Sequence, residues 1–143
     1  MADLSFISLA TVLAPLRAVA ASDADFCFLV KPQFEAGPRY VERGGVVRDS
    51  AGWAVALDRV AAAAGDVGLT VRAGTVSGLP GPAGNIEFFL WLHGLRAPAR
   101  VPRDAKLGAA APAGAWRDLR ERLLDEGRAL RAMVHVASGR SDP

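Results

Sequence analysis

The fold class is indicated by Phe26-Cys27-Phe28-Leu29-Val30, an unbroken apolar run that stops abruptly at Lys31-Pro32. An apolar run without alternation suits a strand that is buried on both faces, as in a parallel sheet covered by helices. Such a strand needs neighbours on both sides, and the chain supplies only one obvious neighbour. Part of the sheet is therefore expected to be missing on the amino-terminal side.

A helix is predicted on each side of this strand. The first spans Ser8 to Ala21 with its cap at the first residue, and Pro15 indicates either a kink or a late start. Residues 35–49 mix charged residues with glycine and proline and are expected to form a loop, and long ordered loops are often functional. Asp49 or Ser50 then caps the second helix.

A hairpin is predicted after the second helix. Strands are expected at Leu69 to Val76 and at about Asn85 to Leu92, and the turn-rich segment 77–84 joins them, so the two strands pair antiparallel. The order helix, strand, loop, helix, strand, turn, strand is that of the second half of an α/β sheet. Residues 1–96 are therefore predicted to form half of a domain.

The last part of the chain has a different character. Residues 97–115 are rich in alanine, proline and glycine without periodicity and are predicted to form a linker. Residues 116–136 outline an amphipathic helix with arginines on its polar face, and residues 137–143 are expected to be a disordered tail. The helix either docks on the periphery of the domain or binds a partner.

Composition excludes several classes of protein. An apolar content of 51% in 143 residues suffices for one core and excludes wholesale disorder. No stretch approaches the roughly 20 apolar residues of a membrane span, and Asp3 stands where a secretory signal carries basic residues, so a soluble cytoplasmic protein is expected. The formal net charge is +2, and residues 97–143 carry the basic excess, which is weak support for a polyanionic partner.

Three charged residues converge at one predicted edge of the sheet. Ligands of open α/β sheets bind beyond the carboxyl ends of parallel strands, where Lys31 stands, and Asp3 stands there too if Met1-Ala2 ends another parallel strand. A strand that enters antiparallel begins at this edge, so Glu87 also reaches it. A charged residue at a strand end is usually just solvated, but the convergence of three favours a functional cluster.

Other chemically active residue types are better explained by packing. Cys27 lies in an apolar run, allows no internal disulfide and has no histidine near it in sequence. His93 and His135 are isolated and lack ligand spacing, so no metal site is predicted. Gly44-Gly45 lacks the Lys-Ser/Thr pair that a phosphate loop requires.

Four blocks of the sequence resemble consecutive motifs of one protein family. They are Asp3-Leu4-Ser5-Phe6-Ile7-Ser8-Leu9, Leu29-Val30-Lys31-Pro32-Gln33-Phe34-Glu35-Ala36-Gly37, Gly44-Gly45-Val46-Val47-Arg48-Asp49 and Gly81-Pro82-Ala83-Gly84-Asn85-Ile86-Glu87-Phe88. In these blocks the chain resembles the TlyA family of ribosomal-RNA 2′-O-methyltransferases, also called hemolysin A, whose catalytic domain is FtsJ-like. The resemblance covers about residues 2–93.

The resemblance implies a fold, a cofactor and a substrate. The fold is the C-terminal half of a Rossmann-like methyltransferase sheet, a parallel strand plus an antiparallel hairpin with flanking helices and an extra C-terminal helix. The strand at 85–92 is then expected between those at 26–30 and 69–76. The implied reaction transfers a methyl group from S-adenosylmethionine to the 2′-hydroxyl of a cytidine in the ribosomal RNA of ribosomal subunits.

The resemblance also implies roles for individual residues. The last three members of the family's Lys-Asp-Lys-Glu tetrad match Asp3, Lys31 and Glu87, the trio that the sheet-edge argument selects. Lys31 would act on the ribose hydroxyl as a base or as an electrostatic anchor, oriented by the two carboxylates. Carboxylates raise the pKa of a neighbouring lysine whereas burial lowers it, so both roles stay open. Substrate contacts are implied for Ser5, Phe6, Pro32, Gln33, Arg48 and Asn85.

Three parts of the family pattern are absent: the S4-like RNA-binding domain, the first tetrad lysine and the glycine-rich segment that holds the cofactor. We therefore expect a C-terminal fragment that is inactive by itself and self-associates through the exposed edge of the 26–30 strand. The alternative is a non-catalytic half-domain that binds RNA or completes a partner subunit. Membrane lysis, which the family's other name suggests, finds no support in any spanning or strongly cationic segment.

Overall fold

The computed structural model describes residues 1, 7–81, 83–94 and 113–137, and only the backbone of residues 113, 136 and 137. In chain order its elements are α1 (Leu9–Val19), β1 (Asp25–Val30), α2 (Pro32–Glu35), a 3₁₀ turn (Pro38–Tyr40), α3 (Ser50–Asp66), β2 (Leu69–Val76), β3 (Phe88–Gly94) and α4 (Ala113–Ala137). Each predicted helix and strand is present, with ends that differ by a few residues. Helix α4 starts inside the predicted linker, and the rest of that linker and the tail after residue 137 lie outside the described residues.

The three strands form one antiparallel sheet in the order β1-β3-β2. Strand β3 pairs with β1 from Val30↔Phe88 to Asp25↔His93, and with β2 on its other side. The predicted topology, with the last strand between the other two and antiparallel to both, is therefore confirmed. Among the described residues β1 pairs on one side only, which leaves it at the edge of the sheet.

One face of this sheet is packed and the other is half open. Phe88, Leu90 and Leu92 are all 0% exposed, whereas Trp91, whose side chain lies on the opposite face of β3, is 47% exposed. Helices α3 and α4 both cover the face of Phe88, Leu90 and Leu92. The expectation that β1 is buried on both faces thus holds at its carboxyl end, where Leu29 and Val30 are both buried, but not at Cys27, which is half-buried. We call the opposite surface, with Cys27, Phe89 and Trp91, the open face.

Polar side chains cap the two helices that follow loops. Ser8 Oγ accepts a hydrogen bond from the backbone N–H of Ala10 at 3.2 Å, and Asp49 Oδ1 accepts one from Ala51 at 2.9 Å. Such caps satisfy amide groups that have no partner inside the helix. From its capped start α1 runs through Pro15, so the late-start alternative is wrong.

Helix α4 packs onto the core. Leu123 is 0% exposed, and a Cβ added to Gly127 would lie 3.1 Å from the ring of Trp53 and 3.3 Å from that of Phe88. The absence of a side chain at Gly127 therefore allows α4 to approach the sheet and α3 closely. This packing favours the docking interpretation of the helix over that of a helix held free for a partner.

Polar contacts fix the amino-terminal half of α4 to α3. Trp116 Nε1 donates to Asp58 Oδ1 at 2.9 Å, and Arg120 forms an ion pair with Asp58 Oδ2 at 2.6 Å. The hydrogen bond with Asp58 is the main reason why the pKa of Arg120 is raised. The helix is thus held at one end by polar groups and in its middle by apolar packing.

Candidate active site

The ends of β1 and β3 bring two predicted catalytic residues to one edge of the sheet. Lys31 directly follows β1, Glu87 directly precedes β3, and Val30 opposite Phe88 is the last pair between the strands. The predicted start of this strand at about Asn85 is three residues too early, because β3 begins at Phe88, directly after Glu87. Asp3, the third predicted catalytic residue, lies outside the described residues, as do Ser5 and Phe6.

Glu87 is held in a closely packed environment. It is 6% exposed, and its backbone carbonyl accepts a hydrogen bond from the N–H of Ser77 at 2.7 Å, which continues the pairing of the hairpin beyond β3. A Cβ added to Gly81 would lie only 2.7 Å from Glu87 Oε1. A side chain at position 81 would therefore displace the Glu87 carboxylate from this position, and no local sequence pattern predicts this contact.

The turn after β1 places a glutamine beside this carboxylate. Pro32 begins α2 and is buried, and its fixed φ favours a helical turn directly after Lys31. One residue further, Gln33 Nε2 donates to Glu87 Oε1 at 3.2 Å. Gln33 Oε1 is buried and has no hydrogen-bond partner among the described residues. If the Gln33 amide were reversed, its oxygen would face the Glu87 carboxylate and the two would repel each other. The carbonyl oxygen of Gln33 is therefore the atom left as an unpaired acceptor next to Glu87.

A second buried carboxylate, missed as a site residue, ties this turn to α1. Glu35 is 1% exposed, and it accepts hydrogen bonds from Ser8 Oγ and from the backbone N–H of Leu9, both at 2.6 Å. Arg59 donates to its backbone carbonyl at 2.7 Å. Glu35 therefore fixes the start of α1 against the segment that carries Lys31. The only sequence signal was its place in the Lys-Pro-Gln-Phe-Glu block.

Asn85 connects two loops near the site. Its Oδ1 accepts a hydrogen bond from the N–H of Val47 and its Nδ2 donates to the carbonyl of Gly45, both at 2.9 Å. Both ends of the amide are thus used within the protein. Arg48, next in the same loop, pairs with Glu42 at 3.0 Å on the surface.

A cavity of about 530 Å³ opens beside the turn of α2. Its walls are mostly apolar, with Gln33 and Ser8 as polar members, and the lining residues are Ile7, Ser8, Gln33, Phe34, Gly37, Pro38 and Val41. This volume lies within the range of small-molecule pockets, which are typically apolar with a few polar groups. The cavity is open to solvent and adjoins the candidate site through Gln33.

The remaining sequence candidates lie elsewhere. Cys27 is half-buried on the open face, and His93 Nδ1 lies 2.9 Å from Asp25 Oδ1 at the far end of β1. Within the described residues no group of three or more potential ligand side chains is arranged to hold a metal ion. The same ranges contain no helix with the length and apolar content that a membrane crossing requires.

Sequence comparison finds clear relatives, although no protein-family model matches the chain. The 16S/23S rRNA (cytidine-2′-O)-methyltransferase TlyA of Mycobacterium tuberculosis is 52% identical over 93 residues, which are 65% of this chain and 35% of the relative. A Bacillus subtilis protein named "Putative rRNA methyltransferase YqxC" is 42% identical over 91 residues, 64% of this chain and 32% of the relative. The chain thus spans about a third of the length of these curated relatives.

Comparison with solved structures finds proteins described as putative hemolysins. A protein described as "Putative hemolysin from Streptococcus thermophilus" matches with a TM-score of 0.70 and 30% identity, over 89% of this chain and 42% of the other. A protein described as "a putative hemolysin from Lactococcus lactis" matches with a TM-score of 0.65 and 29% identity, over 84% of this chain and 52% of the other. The chain is therefore a homologue of rRNA methyltransferases. Among these it is similar to the proteins named TlyA, which confirms the resemblance seen in the four sequence blocks.

Proposed function

We propose that this chain supplies the hydroxyl-binding half of an rRNA 2′-O-methyltransferase, which transfers a methyl group from S-adenosylmethionine to the 2′-hydroxyl of a cytidine. The observation that carries the proposal is the position of Lys31 and Glu87 at one edge of the sheet, with Gln33 hydrogen-bonded to Glu87. The names of the curated relatives support the reaction class and the substrate.

Each residue has a chemical task in this proposal. A ribose hydroxyl must lose its proton when its oxygen accepts a methyl group, and Lys31 would either take that proton or hold the oxygen as an electrostatic anchor. Asp3 and Glu87 would orient the Lys31 ammonium. The unpaired carbonyl oxygen of Gln33 would accept a hydrogen bond from the nucleotide, whose 2′-hydroxyl and cytosine amino group are both donors.

The neighbouring residues would bind the rest of the nucleotide. The cavity beside Gln33 has the apolar walls that suit a base lifted out of its stack. Ser5, Phe6 and Arg48 would contact the substrate, whereas Pro32 and Asn85 would shape the turn and the loop around it.

The described residues alone do not fit the cofactor. In open α/β sheets cofactors bind beyond the carboxyl ends of strands, at the point where the strand order reverses. Because β1 is the edge of the described sheet, no described strand pairs with it on its far side. S-adenosylmethionine would supply the methyl group once a preceding strand and its glycine-rich loop complete a Rossmann-like sheet.

The open face supports the need for such a completion. Trp91 is 47% exposed in the central strand, with Cys27 opposite it on β1, so apolar side chains on this face are accessible to a partner. We expect the isolated chain to be inactive and to self-associate through this face and the β1 edge. The same observation favours the second candidate function, a non-catalytic half-domain that completes a partner.

Reconstitution separates the two functions. The 143-residue chain is combined with the amino-terminal half of a TlyA-type protein, fused or in trans, and incorporation of labelled methyl groups into ribosomal subunits is measured. The expected result is activity from the combination and none from the chain alone, because holding the donor in line with the acceptor provides much of the rate. Lys31→Ala should abolish the restored activity, and Lys106→Ala, the matched change at the other lysine, should not.

Three results would contradict the proposal. Unchanged methyl incorporation by the Lys31→Ala combination would remove Lys31 from the catalytic machinery. Micromolar cofactor binding in calorimetry, together with methylation by residues 1–143 alone, would show that no preceding half is required. Assembly without any methylation would favour the non-catalytic half-domain.

A further inference from the structure

A groove lined by basic side chains lies between the start of α3 and the carboxy-terminal half of α4. Two adjoining cavities of about 400 and 440 Å³ share Arg48, Trp53, Arg131 and His135 in their linings, and Arg128 lines the second. The basic residues come from the loop before α3 and from α4, which are far apart in sequence. We call this feature the basic groove.

Helix α4 presents its basic residues to the groove along one side. Arg128, Arg131 and His135 are three and four positions apart, the spacing at which residues share a helix face. The Arg131 guanidinium donates a hydrogen bond to the backbone carbonyl of Arg48. This bond holds α4 against the loop before α3, so the two sides of the groove are fixed relative to each other.

The arginines of the groove are available to an anion. Arg131 takes part in none of the ion pairs formed among the described residues. Arg48 pairs with Glu42 at 3.0 Å and Arg128 with Asp125 at 2.6 Å, but the two arginine side chains are 51% and 49% exposed. Exposed pairs of this kind contribute little, so phosphate oxygens can replace the carboxylates at small cost.

The other charges around the groove suit an anion of low charge. Asp49 is the acidic residue among the described lining residues, and its Oδ1 is occupied by the N–H of Ala51 at 2.9 Å. The amino end of the 17-residue α3 adds partial positive charge at the same place. The Asp49 carboxylate repels a singly charged phosphodiester less than a free phosphate dianion, and the arginines of the groove attract both.

One short loop connects the groove to the candidate active site. Ala83, Gly84 and Ile86 line the groove, and Glu87 is the next residue of the chain. The groove lining and a residue of the candidate active site are therefore neighbours in the chain, which places the groove where the backbone of a bound polynucleotide could continue.

We propose that the basic groove binds the phosphodiester backbone of RNA next to the reacting nucleotide, with Arg131 and Arg48 as the main contacts. The proposal rests on the proposed function for the placement of the ribose, but the binding itself does not depend on catalysis. It assigns a specific task to α4, which lies in the part of the chain beyond the four sequence blocks that resemble TlyA.

The test is RNA binding by the 143-residue chain, measured by fluorescence anisotropy with a labelled single-stranded RNA. One phosphate contact contributes a salt slope of about 0.7, so its loss should weaken binding roughly fivefold at about 0.1 M salt. We expect Arg131→Ala to show this fivefold loss of affinity and a smaller dependence of binding on salt. Arg48→Ala should lose a comparable amount, and Arg131→Lys should largely retain binding. Arg117→Ala, an equal loss of charge at an exposed position of α4 outside the groove, is the matched control.

Several outcomes would overturn the proposal. The first is that the unaltered chain does not bind RNA, and the second is that Arg131→Ala and Arg117→Ala weaken RNA binding equally. The third is that Arg131→Ala weakens binding to an acidic polypeptide as much as it weakens binding to RNA, which would indicate a protein partner. Circular dichroism shows whether each variant is folded, and the charge-retaining Arg131→Lys provides a second comparison. The two proposals can also fail separately. If the reconstituted protein does not methylate RNA but Arg131→Ala still weakens RNA binding fivefold, the proposed reaction is refuted and the basic groove remains an RNA site.

Discussion

Replacing Glu35 by alanine should destabilise the protein strongly, although Glu35 is a charged residue in a loop-rich segment. The residue is 1% exposed, and its two oxygens accept short hydrogen bonds from Ser8 Oγ and the N–H of Leu9. The N–H of Leu9 belongs to the first residue of α1 and has no partner inside the helix. Alanine at position 35 would leave this buried amide unsatisfied.

The magnitude follows from the two bonds. A hydrogen bond to a charged group contributes about 1.5–3 kcal/mol, and a buried unsatisfied N–H costs about 1–3 kcal/mol. The gain from no longer burying a charge offsets part of this loss. We expect Glu35→Ala to lower the free energy of unfolding by about 2–4 kcal/mol, which corresponds to a fall in Tm of roughly 8–16 °C for a chain of this size. Glu35→Gln keeps one acceptor oxygen and should cost about 1 kcal/mol.

Urea denaturation followed by circular dichroism measures this effect. Ser8→Ala alone should cost about 1 kcal/mol, and the Ser8→Ala/Glu35→Ala double variant should lose less than the sum of the single changes because the two residues share a bond. Glu42→Ala, at an exposed glutamate that pairs with Arg48, is the matched control and should change stability by less than about 0.5 kcal/mol. A loss below about 0.5 kcal/mol for Glu35→Ala would mean that these two hydrogen bonds do not stabilise the start of α1.

Three further changes test other parts of the structure. Leu123→Ala should lower the free energy of unfolding by about 3–5 kcal/mol because this side chain is fully buried. Met133→Ala, at a side chain of the same helix that is 65% exposed, should have little effect in the same urea titration. Equal effects of the two changes would mean that α4 is not docked. Gly81→Ala should displace the Glu87 carboxylate and reduce methyl transfer in the reconstituted protein by about tenfold or more, and Gly78→Ala, whose added Cβ meets nothing within 4 Å, should not. The pKa of Asp25 is lowered from its ordinary value of 3.8 by hydrogen bonds from His93 and then Trp91, so its stabilising effect is present above that value and lost as pH falls through the lowered pKa. Trp91 fluorescence should report this change, and Asp25→Asn should remove it.

Sequence patterns determined the elements of this fold because their signals are local. The apolar run ending at Lys31-Pro32 marks β1 and the turn after it, and the caps at Ser8 and Asp49 mark the starts of α1 and α3. These signals depend on neighbouring residues only, so they survive without knowledge of the fold. The convergence of Lys31 and Glu87 also followed from strand direction, since an antiparallel strand begins where its neighbour ends.

Tertiary structure decided which buried groups and surfaces matter, because these depend on residues that are distant in sequence. Glu35 caps a helix that begins 26 residues before it, and no periodicity reveals such a bond. The close approach of Gly127 to Trp53 and Phe88, and the half-exposed Trp91, depend on which face of the sheet the helices cover. The sequence of an apolar strand is similar whether one of its faces or both are packed. Only the arrangement of the helices therefore distinguishes the packed face from the open face.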